Sequence, residues 1–149
     1  MPSASTVFVD TNILVYSDDR RDLAKRDVAR QWLGHLWQQR TGRVSTQVLH
    51  EYYAVVTRKL RPAMERGDAR AEVRRYQLWN PWPIDQQTVD TAWSIEARYG
   101  LSWWDTLILA SAAHSGCRFV LSEDMQHEME VDRIRVINPF MSDLSILSN

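Results

Sequence analysis

At 149 residues, 44% of them hydrophobic, the chain has room for one ordinary domain with a real core, and no internal repeat or low-complexity stretch divides it. A single cysteine, Cys117, excludes both an internal disulfide framework and a thiolate metal cage, and points to a reducing interior. A formal net charge of -1 excludes a global electrostatic pull toward nucleic acid.

The opening MPSASTVFVD lacks a basic region followed by a long apolar core, and the apolar stretch Leu107 to Ala113 is far too short to span a bilayer. A soluble, cytoplasmic protein with no membrane contact is expected. Phe8 to Asp10 reads as a first strand, apolar until it is stopped by an acid. Asp22 to Gln39 predicts an amphipathic helix, because Ala24, Val28, Trp32 and Leu36 recur every four residues and Ala29, Leu33 and Trp37 widen the stripe. Gly42 is expected to end that helix, and Arg43 to Ser45 to form a short strand. A helix from about Gln47 to Leu60 follows, with Val48, Leu49, Tyr52, Tyr53, Val56 and Leu60 on its apolar side. Pro62 and Gly67 mark a break.

A more polar helix is predicted from about Asp68 to Trp79, then the turn NPWP and an edge strand near Ile84. Val89 to Tyr99 reads as a helix stopped by Gly100. Asp105 to Ser115 is apolar on most sides and belongs in the core, with Gly116 closing it; Phe119 to Leu121 and Ile134 to Ile137 read as buried strands. The alternation of strand-like and helix-like periodicities is that of a parallel sheet with crossover helices. From Arg58 to Arg75, seven basic residues face three acids, a local surplus that most simply makes a solvated helix face.

Four carboxylates fall where this topology can bring them together: Asp10, Glu51, Asp105 and Asp124. In open α/β sheets the ligand crevice lies outside the carboxyl ends of the strands, which is where Asp10 and Asp124 fall. Glu51 lies about 60° from Val48 and about 40° from Val55 around its helix, at the border of the buried stripe. Asp105 also fits a purely structural role, since Ser102-Trp-Trp-Asp105 has capping-box spacing. An all-oxygen set without clustered histidine or cysteine suits magnesium or manganese. His35, His50, His114 and His127 show no metal-ligand spacing and read as packing or surface residues.

FVDTNILVY (Phe8 to Tyr16), STQVLHEYY (Ser45 to Tyr53), WWDTLILASA (Trp103 to Ala112) and LSEDMQH (Leu121 to His127), in that order, resemble the blocks of the PIN-domain family, and more narrowly the VapC-type ribonuclease toxins of bacterial toxin-antitoxin pairs. The closing VINPF (Val136 to Phe140) is similar to the end of one subgroup, so the resemblance covers nearly the whole chain. It implies an α/β fold: a single PIN-like domain, core about residues 6 to 140, with a five-stranded, mostly parallel sheet flanked by helices. It also implies that Asp10, Asp105 and Asp124 are metal ligands for Mg2+ or Mn2+, with Glu51 a ligand or a water-orienting base. Asn12 and Ser122 would orient waters or ligands. Thr11 either does the same or satisfies the start of the next helix. One departure is visible: where the subgroup often has glycine after its Gln-His pair, this chain has Glu128, which leaves Glu123 as a substitute ligand.

The implied reaction is endonucleolytic hydrolysis of RNA by a metal-activated water, leaving a 5'-phosphate and a 3'-hydroxyl. Trp103 and Trp104 precede Asp105, so one could stack a base while the other packs inward. Trp32 and Trp37 read as core or interface anchors and Trp93 as core. The implied partners are RNA, a small cognate antitoxin over the Trp32/Trp37 or Tyr52/Tyr53 surface, and a second copy in a homodimer. The alternatives are a PIN nuclease in RNA maturation or on structured DNA without an antitoxin, a catalytically silent PIN scaffold, and a magnesium-dependent phosphatase. The last is disfavoured because Asn12 stands where a phosphatase nucleophile motif needs its second acid.

Overall fold

A computed structural model of the chain describes residues 5–148. In chain order its elements are β1 (Val7–Val9), α1 (Thr11–Tyr16), α2 (Leu23–Gln39), β2 (Gly42–Arg43), α3 (Thr46–Arg58), α4 (Arg66–Arg75), a 3-10 turn (Tyr76–Trp79), α5 (Gln86–Tyr99), α6 (Trp103–His114), β3 (Phe119–Leu121), β4 (Glu130–Val131), β5 (Ile134–Ile137) and a closing 3-10 turn (Leu144–Ser148). The strands form one sheet in the order β2-β1-β3-β5-β4. All pairings are parallel except β4 with β5, so the fold is α/β with a mostly parallel five-stranded sheet.

Phe8 pairs with Val120 and Val120 with Val136, which stacks the apolar triplets side by side, and β1 and β3 are buried throughout. Burial on both faces explains why these strands read as unbroken apolar runs rather than alternating ones. The run ends at Asp10 because a carboxylate cannot continue a dry strand without partners. Asp10 instead caps α1, accepting from the Thr11 amide at 2.7 Å. The six residues of α1 are too few to show a helical period and were not anticipated, but Ile13 and Leu14 are fully buried. Each such side chain contributes about 1.5–3 kcal/mol of burial.

Every other helix begins close to its predicted place, and α2, α3, α5 and α6 carry side-chain caps from Asp22, Ser45, Asp85 and Ser102. Several expectations are corrected. The stop of α2 is Arg40, in the left-handed region at φ 59, rather than Gly42. Gly42 lies in β2, where a Cβ would stand 2.5 Å from the Trp79 ring. Gly67 is inside α4, which starts at Arg66 and gives way to the 3-10 turn after Arg75. The edge strand expected near Ile84 is a single parallel bridge from Trp82 to Ser45, because Pro81 and Pro83 remove the amides a ladder needs. The fifth strand is β4, a two-residue arm turned at Asp132.

The core includes Trp32, Tyr52, Phe8, Phe119 and Leu109 among its fully buried side chains, and α6 is buried from Thr106 through Ala112. Trp93 is not in it: 52% of this side chain's residue surface is exposed. Among the described residues no helix is long and apolar enough to cross a membrane.

Candidate active site: carboxylates at the strand ends

The carboxyl ends of β1 and β3 lie side by side, with Val9 paired to Leu121, so the residues following each strand meet. Asp10 is only 6% exposed and is surrounded by donors. Its Oδ1 accepts from Thr11; its Oδ2 accepts from the Ser122 hydroxyl at 2.8 Å and from the Asn12 amide nitrogen at 3.2 Å. The same Asn12 nitrogen donates to Asp124 Oδ2 at 3.1 Å, so one amide group joins the two carboxylates. Asn12 is itself oriented by the backbone amide of Glu123, which donates to its Oδ1 at 3.1 Å, and the Asp124 amide donates to Ser122 Oγ at 3.1 Å. Asp10, Asn12, Ser122 and Asp124 therefore form one hydrogen-bonded unit across two strand ends.

Burial raises Asp10 to about 6, with the charges of Asp124 and Asp105 adding to the rise while the Ser122 and Thr11 hydrogen bonds oppose it. Asp105, on the first turn of α6, is also pushed up, chiefly by burial and then by Asp124. The capping role of its segment is real, since the Asp105 amide donates to Ser102 Oγ at 3.2 Å. Its carboxylate nonetheless shares an electrostatic field with the other two acids. Glu51 is connected through Thr11, whose hydroxyl donates to its Oε2 at 2.8 Å, and through Gln47, which donates to its Oε1 at 3.1 Å. Thr11 thus serves Glu51 with its side chain and Asp10 with its backbone. Gln47 was not anticipated, although it lies one helical turn before Glu51 on the same face, a spacing that pairs side chains.

Glu123 is drawn away from this group. Tyr16 donates to its Oε1 at 2.6 Å, and Lys25 forms an ion pair with its other oxygen. Neither partner has a local signal, since each comes from a separate helix. Trp104 is 62% exposed, whereas Trp103 is half-buried with its ring 6.4 Å from that of Trp93.

Among the described residues no group of three or more acidic, histidine or cysteine side chains is arranged to hold a metal ion. Magnesium does not require one, because it is bound through one or two carboxylates and keeps several waters. The donor set fits such an ion. Every side-chain atom offered is an oxygen, two carboxyls are disfavoured in their charged forms, and none of the four acids has a basic partner in the ion pairs of the described residues.

Residues 7–129 match the PIN domain, and the chain belongs to that family. PIN nucleases in general act with a divalent metal. No curated protein matches the sequence. Among solved structures, a toxin-antitoxin complex from Klebsiella pneumoniae is similar at 19% identity and TM-score 0.64, over 91% of this chain and 98% of that one. The Mycobacterium tuberculosis toxin VapC20, which cleaves the sarcin-ricin loop, is similar at 21% identity and TM-score 0.62, over 80% and 92%. VapBC2 of Rickettsia felis, bound to a promoter DNA fragment, is similar at 13% identity and TM-score 0.63, over 88% and 96%. At these identities the likeness is one of fold.

Proposed function

We propose that this protein is a divalent-metal-dependent endoribonuclease and the toxin of a toxin-antitoxin pair. The observation that carries the reading is the Asn12 amide nitrogen shared by Asp10 and Asp124, with Asp105 close enough to raise the buried Asp10 further. Asp10, Asp105 and Asp124 would hold Mg2+ or Mn2+, one or two of them directly and the rest through the waters the ion keeps. The ion would supply Lewis-acid stabilisation of the phosphoryl oxygens and a water of lowered pKa. Asn12 and Ser122 keep the carboxylates apart and aimed. Glu51, with both oxygens already oriented by Thr11 and Gln47, is placed to hold a water and take its proton rather than to swing into the metal site. The family membership and the fold shared with toxins support RNA as substrate.

For the antitoxin, Trp32 and Tyr52 are buried, which leaves the partly exposed Trp37 and Tyr53 of the two surfaces the sequence suggested. The available face is a groove of about 470 Å³ between α3 and α4. Thr46, Leu49, His50 and Tyr53 line one side, and Arg70, Val73, Arg74 and Gln77 the other, each set at helical stripe spacing. An apolar floor with an arginine rim fits an amphipathic, acidic helix. Pairing of two copies belongs to the same reading, and light scattering of the purified toxin should give twice the mass of the chain.

The deciding experiment sequences RNA ends that accumulate on expression of wild type and of Asp10→Asn. New 5'-phosphate ends confined to the wild type support the proposal. Their absence, together with growth unaffected by expression or with toxicity that no neighbouring small gene relieves, removes it and leaves an antitoxin-free or silent PIN protein.

A further inference from the structure

We propose that Lys25 is a positioning residue of the acidic site: by holding Glu123 outside it, Lys25 limits the carboxylates open to a divalent ion to Asp10, Asp105 and Asp124. This rests on the metal-site reading above and adds to it the question of how a fourth acid, adjacent in sequence to Asp124, is kept from the ion.

Glu123 is close enough to need restraint. Its backbone amide donates to Asn12 Oδ1, and the other end of that amide side chain touches both Asp10 and Asp124. Its carboxylate is nonetheless turned to α2. There the Lys25 ammonium pairs with it, donates to the Tyr16 hydroxyl at 3.4 Å, and sits 4.8 Å from the Tyr16 ring centroid and 5.0 Å from that of Phe140. Tyr16 and Phe140 meet edge to face at 5.2 Å, and the Tyr16 hydroxyl also donates to Glu123.

The ammonium, at the start of α2, is thus caged by two aromatic rings, a hydroxyl and a carboxylate from three other segments: the end of α1, the loop after β3 and the chain after β5. A half-exposed ion pair alone would hold a side chain weakly. Cation-π contacts and the Tyr16 hydrogen bond fix both partners in one geometry. Without the lysine, Glu123 becomes an uncompensated carboxylate beside Asp124, with a side chain long enough to turn back to the ion. More ligand charge means tighter binding of the ion in an altered coordination.

The test compares wild type, Lys25→Met, Lys25→Arg and Lys25→Met/Glu123→Gln, by calorimetric titration of metal-free protein with MnCl2 in the absence of RNA, and by cleavage at saturating Mg2+. Lys25→Met should bind Mn2+ about tenfold more tightly and cleave about tenfold more slowly, the range in which residues behind metal ligands act. Lys25→Arg should stay near wild type. In the double variant the freed carboxylate is gone, so both values should return to within about threefold of wild type.

Unchanged Mn2+ affinity in a folded Lys25→Met protein, or a double variant as altered as the single one, overturns the proposal and makes the cage a structural stitch. If Lys25→Met does not fold, Tyr16→Phe replaces it: a shift in the same direction, reversed by Glu123→Gln, supports the proposal, and no shift overturns it. Asp10→Asn separates the two levels. If it leaves Mn2+ binding intact, the metal-site reading fails. If it abolishes binding while Lys25→Met changes nothing, only the role of Lys25 does.

Discussion

Asp10 caps α1 and, on the proposed reading, is also a metal ligand, and the demands of the two roles conflict. As a cap and strand stop it must be buried; as a ligand it must be charged. Burial wins in the metal-free protein, and a folded value of about 6 against an ordinary 3.8 means the native state holds a proton the unfolded chain has released. Stability from this group is therefore complete below about pH 4 and is lost as pH rises toward 6, a change of about 3 kcal/mol. Metal-free wild type should melt lower at pH 7.5 than at pH 5, and magnesium should restore the difference by binding the native acids preferentially. Asp10→Asn does not titrate, so in EDTA at pH 7.5 it should melt above wild type, with the gap closing near pH 4. Calorimetric melting across that range checks the sign, and a variant that melts lower throughout would make Asp10 a structural cap alone. In cleavage, Asp10→Asn and Asp105→Asn should each lose several orders of magnitude at saturating Mg2+ while circular dichroism is unchanged. Near-wild-type rates in either would remove that residue from the site.

Among the elements, the loop between β3 and β4 and the strand β2 show where local sequence and local geometry disagree. Glu128 occupies a left-handed conformation at φ 66, the kind of position that favours glycine, and its amide donates to Val136 at 2.8 Å. The chain holds this left-handed turn without a glycine, adding an ion pair from Glu128 to Arg135. Glu128→Gly should relieve about 1 kcal/mol of backbone strain while losing a weak surface pair and gaining unfolded-state entropy. Its melting temperature should stay within a few degrees of wild type and its cleavage rate should be unaltered. Gly42 is the opposite case. Its φ is ordinary, but a Cβ would overlap the Trp79 ring, which is wedged against Trp37 and Tyr76. Gly42→Ala should cost about 1–3 kcal/mol, read as a lowered urea midpoint with unchanged slope.

On the scale of the whole molecule, charge is arranged in two territories. The acids gather at the carboxyl ends of β1 and β3 and the start of α6, while unpaired arginines rim the α3–α4 groove; Arg70 and Arg74 make no ion pair among the described residues. Reversing that rim with Arg70→Glu and Arg74→Glu should weaken antitoxin binding by tenfold or more and steepen its salt dependence, with RNA cleavage by the free toxin retained. Equal affinity for both forms would place the antitoxin on another face.

The sequence by itself determined where the strands and long helices lie, because burial on two faces leaves unbroken apolar triplets and burial on one leaves a stripe every three or four residues. It also singled out Asp10, Glu51, Asp105 and Asp124 as candidates, by their places after strands and at helix borders and by the PIN-like blocks that hold them. Tertiary structure alone decided how those acids are joined. The Asn12 bridge, the Thr11 link to Glu51, and the cage of Tyr16, Phe140 and Glu123 around Lys25 connect residues 40 to 112 positions apart or drawn from different helices, and local periodicity holds no record of such contacts. The same holds for α1 and β4, too short for a period to emerge, and for Trp93, which reads as core yet is 52% exposed.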